Sequence, residues 1–187
     1  MKKISILGLL ASILLSSCVA VVVAGAAGGL IVYDKRSISM IEKDARIFHL
    51  VHKKIVTDAQ FDDSHIVVTS FNQVVLLTGE TPVASLRVLA EKIAKHTPKV
   101  KRVYNEITVG DPTSYSQRSK DSWITGQVRA KMLTKKDLES GTIRVVTEDS
   151  VVYLMGIVTH DQANLAVDVA RQVSGVTKVV KVFRYIT

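Results

Sequence analysis

Few residues in this chain could do chemistry. Its single cysteine, Cys18, follows an apolar run from Ile4 to Leu15. One thiol can be modified, but it cannot build an internal disulfide framework or a Cys-rich zinc site. The five histidines are His49, His52, His65, His96 and His160. His49 and His52 share a helix face, yet no carboxylate or cysteine is placed to complete a metal site, so both read as solvated helix residues. Asp62-Asp63 precedes a β-rich run and reads as a turn, and no pair of carboxylates is spaced for acid–base work. The chain has no nucleophile elbow, HExxH or Walker motif. Gly25, Gly28 and Gly29 lack the preceding strand and following Lys-Ser/Thr that a phosphate loop needs. A protein without catalytic residues, metal or diffusible cofactor is the expectation.

The surroundings of Cys18 define a different role. Met1-Lys2-Lys3 is a short positive start, Ile4 to Leu15 an apolar core, and small residues follow. That is the layout of a secretory signal, too short by itself to span a bilayer. Leu15-Ser16-Ser17-Cys18 resembles the bacterial lipobox. The resemblance implies removal of residues 1–17 and acylation of Cys18 as the mature N-terminus, so the one bound group expected is this covalent lipid. Val19 stands where an Asp would signal retention in the inner membrane, which implies the outer membrane. Residues 19–32 are apolar and uncharged. If cleavage occurs, they and the residues to 39 form a lipid-proximal tether. If it does not, Ile4 to Val32 is long enough to cross a membrane, with Gly25, Gly28 and Gly29 as a helix-packing surface.

Composition bounds what lies beyond the tether. The 187 residues are 47% hydrophobic, 22% charged and carry a formal charge of +8, which excludes intrinsic disorder and invites an anionic partner. The excess is divided, however. Residues 40–110 hold 10 basic against 8 acidic side chains, and residues 111–187 hold 11 against 8. Neither half has a concentrated basic patch, so nucleic acid is not an expected partner.

The elements that position the chemistry come as an internal repeat. Ile66-Val67-Val68-Thr69 recurs 77 residues later as Ile143-Arg144-Val145-Val146, and Val74 to Gly79 recurs as Val151 to Gly156 at the same offset. The offset also places Asp44 on Asp121, Ile47 on Ile124, Val51 on Val128 and Ile55 on Met132. Each copy reads as a helix (44–57; 121–135), then a hairpin of two strands (65–70 with 74–78; 142–147 with 151–155). A second helix (82–96; 160–173) and a last strand (100–109; 176–186) follow. The second helix is expected to bury Leu86, Leu89, Ala90 and Ile93, and in the other copy Ala163, Ala166, Val167 and Ala170. Pro82 suits a first helical turn, and Gly79 and Gly156 read as turn residues ending a strand. Gly110–Ser119 has linker composition. The fold class is α+β: two tandem αββαβ units, each a small mixed three-stranded sheet packed against two helices. Units of this size are marginal alone, so burial between the copies or against a membrane is expected.

Val74-Val75-Leu76-Leu77-Thr78-Gly79 and Val151-Val152-Tyr153-Leu154-Met155-Gly156, each followed by an Ala-rich helix, resemble the BON domain, a non-catalytic module of bacterial envelope proteins. Val173-Ser174-Gly175-Val176 completes the resemblance in the second copy. The first copy departs from it at His96-Thr97-Pro98-Lys99-Val100. Domains are thus expected at 1–17 (signal), 18–39 (tether), 40–110 (first BON), 111–119 (linker) and 120–187 (second BON). A lipobox before two such domains resembles the dual-BON outer-membrane lipoproteins. That resemblance implies anionic phospholipid binding through the second domain and support of outer-membrane integrity, with a link to the division site.

The first helices distinguish the copies. At ~100° per residue from Trp123, the residues Ile124, Val128 and Met132 lie at roughly 100–180° and form a core stripe. Gly126, Ala130 and Leu133 lie at roughly 280–340°, beside Trp123 and nearly opposite the core. Arg129 and Lys131 flank this outer stripe, and Lys135 and Lys136 stand near its end. The equivalent positions in the first copy are Arg46, His49, Lys53 and Val56. An exposed Trp–Leu stripe edged by cations suits a membrane interface, with Arg129 and Lys131 meeting lipid phosphates. Alternatively Trp123 packs against the other domain or a linker residue such as Tyr115, or meets a protein. Three readings follow: a phospholipid-binding lipoprotein, a tethered periplasmic adaptor or chaperone-like module for envelope protein or peptidoglycan, and a transmembrane-anchored scaffold.

Overall fold

The computed structural model describes residues 34–186. Cys18, the lipobox and residues 19–33 of the segment read either as tether or as membrane span lie outside the described residues; the last residues read as tether, 34–39, are described and lead into the first helix at Ile38. Among the described residues no helix is long and apolar enough to cross a membrane.

Helix α1 (Ile38–Val56) opens at Ser37, whose side chain accepts from the Met40 amide, and carries Lys53 and Lys54 in its last turn. A polar cap and a basic end are what unsatisfied helix termini favour. Its buried residues, Asp44, Ile47, Val51 and Ile55, fall on one face. Strands β1 (His65–Phe71) and β2 (Val74–Thr81) form an antiparallel hairpin. Helix α2 (Ala84–Lys95) crosses over to β3 (Arg102–Asn105) and β4 (Thr108–Val109), which run parallel to β2. The second domain repeats this order as α3 (Tyr115–Thr134), β5 (Ile143–Glu148), β6 (Val151–Val158), α4 (His160–Arg171) and β7 (Lys178–Tyr185). β2 and β6 are the central strands of their sheets. The architecture is the α+β class expected, with mixed sheets.

Several local expectations are corrected. α3 begins at Tyr115, inside the stretch read as linker, because Ser114 caps it by accepting from the Gln117 amide. Its first turn, Tyr115-Ser116-Gln117-Arg118, is mostly polar and so resembles a loop in composition. Pro82 lies two residues before α2, whose N-cap is Val83 without a side-chain hydrogen bond. Gly79 and Gly156 sit within β2 and β6, not at their ends. Gly79 has φ +105°, and a Cβ there would meet the His65 carbonyl oxygen at 1.9 Å. Close approach of the neighbouring strand is therefore what requires glycine. The last strand of the first domain is broken: pairing lapses between Asn105 and Thr108, while Ile107 turns into the core at 1% exposure.

Strand alternation divides the interior into three clusters. Val75 and Leu77 of β2 join Ile47, Val51, Ile55, Leu86 and Ala90 beneath the helices of the first domain. Val152 and Leu154 of β6 do the same with Ile124, Val128, Met132, Ala163 and Ala166. The intervening residues face the other way: Phe71 and Leu76 pack against Tyr153, Met155 and Val182. The two sheets thus meet through the faces that their helices leave bare. The result is helices, sheet, sheet, helices, in one compact unit from Val32 onward.

Candidate functional site

The outer face of α3 is the surface on which the expected lipid contact falls. Trp123 is 53% exposed and Leu133 37% exposed, although both are large and apolar. Between them Gly126 is open, with nothing within 4 Å of a built Cβ, and Ala130 is half-buried. None of these four belongs to a core cluster, because α3 buries its opposite face through Ile124, Val128 and Met132. The cluster through which the two sheets meet does not include Trp123. Tyr115, 85% exposed, lies one helix with Trp123, its ring covered by the Arg118 guanidinium at 5.2 Å. Spacing missed it because it fell in the presumed linker.

The two flanking cations differ. Lys131 is exposed, and its Nζ donates to the Gln172 carbonyl at 3.2 Å, which leaves it near the stripe. Arg129 turns away toward β5, where one guanidinium nitrogen donates to the Val145 carbonyl at 3.1 Å. Burial, and then the nearby Arg144, lower its pKa from the ordinary arginine value. Lys135 and Lys136 are exposed beyond the helix end. The first domain presents Arg46, His49, Lys53 and Val56 at the positions equivalent to the stripe, so its outer face is mostly polar.

The arm formed by Asp34, Lys35 and Arg36 reaches the same region. The Lys35 amide donates to the Gly141 carbonyl at 3.1 Å, and Lys35 Nζ pairs with Glu139 at 2.8 Å. Arg36 pairs with Asp34 and Asp44, each at 2.6 Å, and stacks over Phe71 at 4.2 Å. Burial raises the Asp34 carboxyl, but the hydrogen bonds and charge of Arg36 outweigh it, so its pKa is lowered overall. Asp34, Leu133, Arg129 and Arg144 line one small cavity of about 50 Å3. Asp34, the first described residue, therefore lies beside the end of the exposed stripe.

A second polar group lies between the domains. Buried Glu80 of β2 accepts from the amide and hydroxyl of Thr113 in the connection. Buried Glu148 of β5 approaches His65 Nε2 of β1 at 3.5 Å. Burial first, then the charges of Glu80 and Asp121, push Glu148 up to about 7. Burial and Arg118 lower His65. Both groups are driven toward their neutral forms, so this contact is not a strong ion pair despite its geometry. Among the described residues no group of three or more His, Cys, Asp or Glu side chains could hold a metal ion.

Comparison with known proteins agrees with this architecture. The family model described as the BON domain matches residues 43–111 and again 120–187. The outer membrane lipoprotein DolP of Haemophilus influenzae is 38% identical over 188 residues, covering 100% of this chain and 97% of that protein. A 21 kDa hemolysin of Actinobacillus pleuropneumoniae is 35% identical over 154 residues, covering 82% of this chain and 79% of its own. Osmotically-inducible protein Y of Escherichia coli is 29% identical over 139 residues, covering 73% of this chain and 69% of its own. With two matches that together span nearly all of the described residues, the chain belongs to the BON-domain family.

Proposed function

We propose that this protein is a non-catalytic lipoprotein of the outer membrane, anchored through lipid on Cys18, whose second domain contacts anionic phospholipid through the outer face of α3. The similarity to an outer membrane lipoprotein over the full chain supports the location. The observation that carries the lipid contact is the exposed stripe of Trp123, Gly126, Ala130 and Leu133 beside Asp34 of the arm. An indole at headgroup depth and a neighbouring apolar side chain suit an interface. Lys131, Lys135 and Lys136 would each add about 1 kcal/mol toward an anionic surface. Arg129 contributes from the side of the stripe, once its bond to Val145 is exchanged for a phosphate. Such contact serves outer-membrane integrity, including at the division site, and needs no cofactor beyond the covalent lipid.

The test is binding of residues 32–187, the compact unit without tether or lipid, to phosphatidylglycerol vesicles. Trp123→Glu should weaken binding at least about tenfold, the equivalent of ~1.4 kcal/mol. Equal binding by that variant would refute the lipid contact. Indifference of the parent unit to vesicles would instead favour the adaptor that uses its lipid only as a tether.

A further inference from the structure

The duplication provides a second, independent surface. In the second domain the groove between α3 and β5 is lined by Arg129, Met132, Leu133, Gly141, Ile143 and Arg144. At the same offset of 77, the groove between α1 and β1 of the first domain is lined by His52, Ile55, Val56, Ser64, Ile66 and Val67. The grooves are equivalent, but their contents differ. In the second domain a short turn of the chain itself lies there: Asp34 lines the groove, the Lys35 amide donates to the Gly141 carbonyl, and Lys35 Nζ pairs with Glu139. In the first domain no described residue takes that place, and the cavity is about 470 Å3 against about 50 Å3.

We propose that the groove between α1 and β1 receives a lysine-bearing segment of a partner protein, held as the arm is held in the second domain. Charge matches at the deciding position: Asp62, exposed at the rim, stands where Glu139 pairs with Lys35. The Ser64 carbonyl stands where the Gly141 carbonyl accepts the arm's amide. The groove also offers apolar surface to the residues beside the lysine, because Phe48 is 41% and Val56 57% exposed. The described part of the chain's own arm is already committed through Arg36 to Asp44 and Phe71. This surface is on the first domain and does not depend on the lipid reading.

The experiment uses the whole chain in detergent and a fluorescent, photoreactive peptide with the sequence of residues 30–37, whose lysine corresponds to Lys35. Saturable binding, with cross-links on α1 and β1, is expected. Asp62→Lys should weaken it at least tenfold, a peptide with Glu for its lysine should bind the parent as poorly, and the two changes together should restore binding. Asp62 is an exposed loop residue, so the variant tests the groove and not the fold. Absence of saturable binding, an affinity unmoved by Asp62→Lys, or cross-links confined to the groove of the second domain would overturn the proposal. A concentration-dependent dimer abolished by Asp62→Lys would assign the groove to a second copy and overturn it equally.

Discussion

Asp44 and Asp121 occupy the same position in the two copies and do the same work. Each hairpin turns through two non-glycine residues at positive φ, Asn72 and Gln73 at 53° and 63°, Asp149 and Ser150 at 45° and 63°. That mirror-image turn suits the twist of a hairpin but disfavours side chains larger than glycine. The Asp44 carboxylate accepts from the Asn72 and Gln73 amides at 2.7 and 2.8 Å, and Asp121 from the Asp149 and Ser150 amides at 2.9 and 2.8 Å. A buried carboxylate on the first helix therefore clamps the turn. Removing it leaves one buried and one part-buried amide unpaired, at about 1–3 kcal/mol for the buried one and less for the other. Asp121→Ala should destabilise the protein by roughly 2–4 kcal/mol in urea unfolding, more than an ordinary surface change. A loss below about 0.5 kcal/mol, the range of such surface changes, would show that the turn is held by other means. The alignment of Asp44 with Asp121 was visible in the sequence, but what they clamp was not, because the turn amides lie 28 and 29 residues away.

Among the elements, α1 and α3 show how one fold serves two faces. Both bury an i, i+4, i+8 stripe, Ile47-Val51-Ile55 and Ile124-Val128-Met132, and the rest of each helix is free to vary. On α3 that freedom exposes Trp123 and Leu133 around an open Gly126. A Cβ at Gly126 meets no atom within 4 Å, and leucine there raises helix propensity by up to about 1 kcal/mol and extends the apolar stripe. Gly126→Leu should therefore bind phosphatidylglycerol vesicles several-fold more tightly while unfolding no more easily. Unchanged vesicle affinity would mean that this face does not enter the interface. Helical spacing placed Trp123, Gly126, Ala130, Leu133 and Lys131 correctly on the outer face. It set Arg129 equally on the rim, where the structure instead turns it to the Val145 carbonyl. An angular position fixes where a long side chain starts but not which acceptor its end reaches.

Across the whole molecule, the sheets join two marginal units into one body through Phe71, Leu76, Tyr153, Met155 and Val182. At the margin of this joint sits the group of Glu148, His65, Glu80, Arg118 and Asp121. Glu148, raised to about 7 from an unfolded value near 4.5, holds a proton that the unfolded chain releases, so its contribution to stability falls as pH rises between these values. His65, lowered by burial, acts oppositely: the unfolded chain takes up a proton first, and its contribution falls as pH drops below 6.5. Glu148→Gln isolates the first effect. Its melting temperature relative to the parent should climb from pH 5 to pH 8, and a constant difference would refute the assignment. The sequence by itself determined the duplication, the order of elements, the core faces of the helices and the exposed stripe of α3, because repeats and periodicities are local properties of a chain. Only the tertiary structure decided that the sheets pack back to back, that the arm at Lys35 reaches the second domain, and that Glu148 meets His65. These contacts join residues far apart in the chain, and their geometry depends on how complete elements dock.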